Sequence, residues 1–229
     1  MTVSFDVQKP TRESCIFRRH AAHHMTPRIT VTSFSIPDGL TKISGAFTPQ
    51  ALAAIEAELA RERWLDASQA MRFSPLPPWV SRLARDIKAL AIEHGVCEAS
   101  NATDEAFAFS QIIVNQYGGD QRFPQFLRPH VDLAAFGELI ASLSLRASCA
   151  MDFTPCDRAT PAVRVELDPG DILILTGDAR WRYEHGIEAP PLTDTKSIDS
   201  SRMAAVWHRI SITFRTMDPN GHELTHEAR

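Results

Sequence analysis

From about residue 107 the chain is a succession of short β-branched, aliphatic and aromatic runs broken by turn signals, and no other feature constrains its folding more. Residues 107–117, 140–147, 149–153, 163–167, 172–176 and 209–216 read as strands. Turns such as Asp168-Pro169-Gly170-Asp171 separate them. Helical periodicity is missing between these runs. A parallel α/β sheet needs a helix at each crossover, so what remains is a sandwich or barrel.

Helical sequence is confined to the first half. Residues 29–36 alternate apolar with Thr and Ser, which predicts a strand stopped by Pro37-Asp38-Gly39, and a short apolar stretch follows at 40–47. Thr48-Pro49 is a helix start, with Thr as cap and Pro in the first turn. Leu52, Ile55 and Leu59 then fall on one helical face. Residues 64–78 read as irregular, and a second helix is expected over 79–94, with Leu83, Ile87 and Leu90 at helical spacing and Gly95 as its stop. The fold class is thus mainly β with N-terminal helices (α+β).

The organisation expected is one domain over 31–217, with a helical N-terminal part (31–106) and a β core (107–217). Residues 1–30 read as a poorly ordered arm, 188–207 as a long excursion containing Pro190-Pro191, and 218–229 as a polar tail. Residues 8–30 carry Lys9, Arg12, Arg18, Arg19 and Arg28 against Glu13, which suits an organellar transit segment as well as a disordered basic arm. A formal charge of −4 gives no global attraction to nucleic acid, so binding it would require a local basic patch. Cys15, Cys97, Cys149 and Cys156 form no Cys-x-x-Cys pair, which fits reduced thiols in an intracellular compartment, cytoplasmic or nuclear. No apolar run approaches the roughly 20 residues of a membrane span, so no membrane partner is expected.

The chemistry-bearing residues lie in the β half. His130-Val131-Asp132 places an imidazole and a carboxylate on the same side of extended backbone. With a distant His they would form the 2-His-1-carboxylate face of non-haem Fe(II) oxygenases. Chance alone can put an Asp two residues after one of nine His, so the motif needs support elsewhere. One source is the stretch 179–185, which reads as extended, with Trp181, Tyr183 and His185 on one face. His185 is the candidate third ligand, although an exposed His before a Gly turn has the same appearance. In 209–215, Ile210, Ile212 and Phe214 alternate with Arg209, Ser211, Thr213 and Arg215. That polar face suits solvent, and equally a dicarboxylate pocket, because a guanidinium grips a carboxylate through a planar fork. Asn115 and Tyr117 share a strand face and offer neutral hydrogen bonds.

Taken in order, Asn115-x-Tyr117, His130-x-Asp132, Ser142-Leu-Ser-Leu145, Met151-Asp-Phe153, Gly177-Asp-Ala-Arg180, His185-Gly-Ile187 and Arg209-Ile-Ser-Ile-Thr-Phe-Arg215 resemble the AlkB family of Fe(II)/2-oxoglutarate dioxygenases. The resemblance covers about residues 107–216 and extends more weakly to the N-terminal helices and Pro75-Leu-Pro-Pro78. It implies a double-stranded β-helix (jelly-roll) core with Fe(II) at His130, Asp132 and His185. It also implies 2-oxoglutarate as cosubstrate, its distal carboxylate on Arg209, with Arg215 near its keto-acid end and Asn115 and Tyr117 adding hydrogen bonds. The reaction implied uses O2, releases succinate and CO2, and hydroxylates a C–H bond; on an N-methyl group the product collapses with loss of formaldehyde. Two departures stand out: Ser211, where nucleobase-repair members often carry Asn, and Arg146, where many members carry Gly.

The substrate expected is an alkylated base in DNA or RNA, with Phe73, Trp181 and Tyr183 as candidate stacking residues and Arg61, Arg63, Arg72, Arg82 and Arg85 as a possible phosphate-facing patch. The same chemistry on a tRNA modification, a protein or a small molecule is the alternative, and a catalytically silent binding module of the same fold is a second. A monomer is expected.

Overall fold

The strands of the second half build two antiparallel sheets that face one another in the computed structural model, which describes residues 29–98, 108–119, 122–188 and 207–217. The first half supplies β1 (Thr30–Ser33), β2 (Leu40–Ser44), α1 (Pro49–Arg61), β3 (Gln69–Phe73) and α2 (Pro78–Glu93). The second supplies β4 (Phe109–Gly118), β5 (Phe126–His130), β6 (Phe136–Leu145), β7 (Cys149–Pro155) and β8 (Val163–Leu167). It continues with β9 (Ile172–Leu175), α3 (Gly177–Trp181), β10 (Tyr183–Glu188) and β11 (His208–Met217). The larger sheet has the order β1-β2-β9-β6-β11-β4-β3 and the smaller β5-β10-β7-β8. From β4 to β11 the chain passes back and forth between the sheets, and only the β7–β8 hairpin stays within one. This winding is the double-stranded β-helix that the sequence resemblance implies.

The large sheet is buried on both faces, which decides how its alternating strands are read. On the outer face Ile210, Ile212 and Phe214 of β11 join Ile112 and Val114 of β4 under the two helices. Ile55 and Leu59 of α1, with Leu83 and Ile87 of α2, are fully buried against them. Each such side chain contributes about 1.5–3 kcal/mol by leaving water. Thr48 caps α1 as its sequence predicts, its Oγ1 accepting from the Ala51 N–H at 3.2 Å. On the inner face Arg209, Ser211, Thr213 and Arg215 point between the sheets, and Arg209 is fully buried. Solvation of that face is therefore excluded.

Three local readings change. Residues 64–78 are not irregular throughout, because β3 pairs with β4 at the sheet edge, Gln69 opposite Asn115 and Phe73 opposite Gln111. Only Ala70 in β3 is even half-buried, so burial imposes no alternation that a sequence could display. The stretch before His130 also forms a strand, β5, at the edge of the small sheet. Finally, 179–185 is not one extended run. Bonds from Arg180 N–H to Thr176 O and from Arg182 N–H to Asp178 O wind it into α3, and extended backbone resumes only at Tyr183. The expectations for residues 1–28, 189–206 and 218–229, and for Phe107, lie outside the described residues. Among the described residues no helix is long and apolar enough to cross a membrane.

Candidate active site

His130 and His185 are brought together by strand pairing. His130 closes β5 and His185 sits in β10 directly opposite, with ring centroids 4.5 Å apart. Between this pair and Ile187 opposite Leu127 the register shifts, so β5 bulges at Arg128 and Pro129. Gly186 allows that close passage: a Cβ there would lie 3.0 Å from Leu127 O and 3.1 Å from Pro129 N. The His-Gly pair in the sequence is thus a packing requirement of the site itself.

Asp132 follows β5 and is buried beside the two imidazoles. Its Oδ2 lies 3.7 Å from His185 Nε2, and one potential ligand atom from each of the three residues falls within 4.8 Å of the others. Among the described residues no other group of His, Cys, Asp or Glu is so arranged. Cys149 and Cys156, one buried and one exposed, take no part.

The protonation pattern suits a cation. His130 Nδ1 lies 2.9 Å from Arg128 O and acts as donor to it, which leaves Nε2 as the free acceptor. Burial, opposed by the Asp132 charge, pulls His185 down to about pH 4, so its ring is neutral at pH 7. Three neutral or anionic donors on one side of a cavity are what a divalent metal of intermediate hardness requires.

Deeper between the sheets lies an anion site. The Arg209 guanidinium lies against the Tyr117 ring, 5.5 Å from its centroid, and gives one bond from Nη2 to Ser144 Oγ at 3.2 Å. Its Nε and Nη1 are buried without a partner. Orphaned guanidinium nitrogens in a closed interior are costly, and ligand oxygens would satisfy them, Nη1 as one arm of an end-on fork to a carboxylate. Arg215 lies between this point and the triad. Its Nη2 donates to Asp132 Oδ1 at 2.7 Å and its Nη1 to Gln111 Oε1 at 3.2 Å, while Nε has no partner. Burial raises the Tyr117 hydroxyl above its ordinary pKa, against the pull of Arg209, so it stays a neutral donor. Asn115 Oδ1 is held by Gln69 Nε2 at 2.9 Å, which turns the Asn115 amide nitrogen free as a second donor. Asn115, Tyr117, Arg209 and Arg215 line the same cavity as His130, Asp132 and His185.

The predicted substrate residues do not converge on it. Tyr183 packs in the inter-sheet apolar cluster, its hydroxyl 3.4 Å from Thr160 Oγ1. Trp181 sits on α3 with Nε1 on Glu138 Oε2. Neither lines the cavity. Phe73 is 54% exposed on β3, outside the cavity, while Gln69 of the same strand lines it. Within the predicted basic patch Arg61 is paired with Glu58 and Glu62, and Arg63 with Asp66. Arg72 lies over the Trp64 ring. Arg146 turns away from the cavity to Glu56 and His208.

Gln69 and Gln111 carry no sequence signal as site residues, because each acts through a cross-strand neighbour that only the register identifies; Ser144 stands in the Ser142–Leu145 motif, but its bond to Arg209 is not evident from it. Arg180 stands in a motif, yet its buried role became visible only with the loop it holds.

A metal triad and a buried dicarboxylate grip inside one jelly roll define a class of enzyme. The chain belongs to the 2OG-Fe(II) oxygenase superfamily, whose family model matches residues 20–215. Members of that superfamily use Fe(II), 2-oxoglutarate and O2, and the donor set here fits all three. Over 97 residues the chain is 33% identical to alpha-ketoglutarate-dependent dioxygenase alkB homolog 7, mitochondrial, of Bos taurus, covering 42% of each chain. Over 77 residues it is 38% identical to tRNA (carboxymethyluridine(34)-5-O)-methyltransferase ALKBH8 of Macaca fascicularis, covering 34% of this chain and 11% of that one. The chain thus spans less than half the length of these relatives. A solved structure titled "The structure of OsALKBH1" superposes with a TM-score of 0.48 at 15% identity, covering 81% of this chain and 100% of that chain.

Proposed function

We propose that the protein is an Fe(II)- and 2-oxoglutarate-dependent dioxygenase that oxidises the alkyl group of an alkylated nucleobase in DNA or RNA. The observation that carries the cosubstrate assignment is Arg209, a fully buried cation whose orphaned nitrogens call for an anionic ligand. Iron bound at His130, Asp132 and His185 would supply the oxidation, in which 2-oxoglutarate and O2 become succinate and CO2 and a C–H bond becomes C–OH. On an N-methyl group that product releases formaldehyde and the repaired base.

The side chains do the positioning. Arg209, backed by Ser144, fixes the distal carboxylate. Tyr117 and Asn115 present neutral donors along the cosubstrate, and Arg215 holds Asp132 by one oxygen so that the other faces the histidines. Ile113, Leu127 and Met151 line the cavity with apolar surface that excludes water from the reacting C–H bond.

Two features support a base as substrate. Among the relatives one bears a tRNA-modifying name. In addition, Met71 and Phe73 extend an exposed apolar shelf along β3 from Gln69 at the cavity, a surface on which a flat, extruded base can stack. The pairing of Arg61 and Arg63 with carboxylates favours a second reading, the same hydroxylation on a substrate without a long phosphate backbone. A screen of alkylated DNA, RNA and tRNA nucleosides by mass spectrometry separates them. Mass loss from a methylated nucleoside, dependent on 2-oxoglutarate and weakened by Phe73→Ala, is the expected result. Succinate formation without change in any nucleoside would reject the base and leave the second reading.

A further inference from the structure

We propose that Arg180 and Trp181 are positioning residues for Asp132: together they clamp the backbone of the 132–137 turn and so set the direction of the carboxylate. This rests on the reading of Asp132 as a metal ligand.

The turn has little else to hold it. Residues 131–135 contain no helix or strand and Leu133 is 69% exposed, which leaves the half-buried Phe136, under Arg215, and its N–H bond to Leu133 O as the turn's own anchors. Arg180 holds the turn from α3. It is 1% exposed, and none of its guanidinium hydrogens is given to a carboxylate. Nε donates to Gly137 O at 3.1 Å and Nη1 to Asp132 O at 3.1 Å. Nη2 donates to Leu133 O at 2.8 Å and to Phe136 O at 2.7 Å. One rigid fork thus satisfies carbonyls at both ends of the turn. Leu133 O also accepts from the Phe136 N–H at 3.0 Å, while Asp132 O and Gly137 O meet Arg180 in the buried interior, where an unpaired carbonyl is costly.

The fork is held from behind. The Arg180 guanidinium carbon lies 3.9 Å from the Trp181 ring centroid, and Trp181 Nε1 is pinned to Glu138 Oε2 at 2.8 Å. Asp132 is therefore fixed twice. Arg180 holds its main-chain oxygen from α3, and Arg215 holds its Oδ1 from β11. Neither Arg180 nor Trp181 reaches the cavity, which makes theirs a positioning role.

Lysine cannot replace this fork, because one ammonium is a point donor and the four carbonyls are spread around the turn. The test is Mn(II) binding, followed by loss of the free-ion EPR signal, with the melting temperature of the metal-free protein measured alongside. Arg180→Lys should weaken Mn(II) binding roughly 10- to 100-fold, the range for groups that orient metal ligands. Trp181→Ala, at a half-buried position, should weaken it roughly tenfold. The metal-free melting temperature of Trp181→Ala should stay near wild type, and that variant decides the matter if Arg180→Lys does not fold. Asp132→Ala serves as control. Binding abolished by Asp132→Ala but unmoved by Trp181→Ala and Arg180→Lys would overturn the clamp alone. Absence of Asp132-dependent binding in the wild type would overturn the metal site and the clamp with it.

Discussion

Arg215 Nη2 donates to Asp132 Oδ1 at 2.7 Å, and this bond leaves Oδ2 facing His185 Nε2 at 3.7 Å. The two oxygens of one carboxylate are thereby given different tasks: one is held by the protein, the other is free for a metal. Asp132→Ala should abolish iron binding while the chain still folds. It also leaves the buried Arg215 cation with only Gln111 and the Phe136 ring, at a cost of about 3–5 kcal/mol. Asp132→Asn keeps an acceptor for Arg215, so its melting temperature should lie closer to wild type while its iron binding is still weakened. Calorimetry with metal titration checks both, and near-normal iron occupancy in Asp132→Ala would reject the assignment.

Arg209 is a second case in which function and stability diverge. Its Nε and Nη1 are buried and unpartnered, so the ligand-free protein bears an unrelieved desolvation cost. Arg209→Ala should weaken 2-oxoglutarate binding by on the order of 1.5–3 kcal/mol, roughly 10- to 100-fold. The ligand-free protein should change little in stability. A collapse of thermal stability without a change in 2-oxoglutarate affinity would make Arg209 a structural residue.

Much of this was legible in the sequence, for a physical reason. Arg209 and Arg215 are polar residues inside an otherwise apolar strand, and His130 and Asp132 stand two apart at a strand end; a period of two sorts such residues onto one face without knowledge of the partner strand. The helices were legible because Leu83 and Ile87, like Ile55 and Leu59, pack one face against a single sheet. What stayed hidden depends on surroundings that sequence does not contain. The strand β3 is exposed on both faces and shows no pattern. The alternation that sets Trp181 beside His185 in the sequence is interrupted by α3, where carbonyl-bound Arg180 sits on a helical turn. Gln69 acquires a role only through its register with Asn115.

Stability should depend on pH through His185. Burial lowers its pKa from 6.5 to about 4, so between those values the unfolded chain binds a proton that the folded one refuses. The stabilisation is complete above about pH 6.5 and is lost as pH falls towards 4. Melting curves of the metal-free protein should therefore fall in this window, and His185→Gln should flatten the decline. An unchanged slope in that variant would contradict the burial of a neutral ring.

Arg146 tests a backbone effect away from the site. Its φ of 68° lies in the left-handed region, which costs a side-chain-bearing residue roughly 1–2 kcal/mol. Its partly exposed pair with Glu56 returns about 0–1 kcal/mol. Arg146→Gly relieves the strain and loses the pair, so it should be neutral or slightly stabilising; Arg146→Ala keeps the strain and should destabilise by up to about 1 kcal/mol. Urea denaturation distinguishes them, and succinate formation should be unchanged in both, because Arg146 faces α1 and not the cavity.

The central claim is that His130, Asp132 and His185 hold a catalytic iron beside a 2-oxoglutarate grip, and succinate formation measures it most directly. With Fe(II), 2-oxoglutarate and O2, the wild type should produce succinate above background and bind 2-oxoglutarate more tightly when the metal is present, while His130→Ala should do neither. Equal background from the two proteins, with no iron-dependent binding of 2-oxoglutarate, would contradict the account.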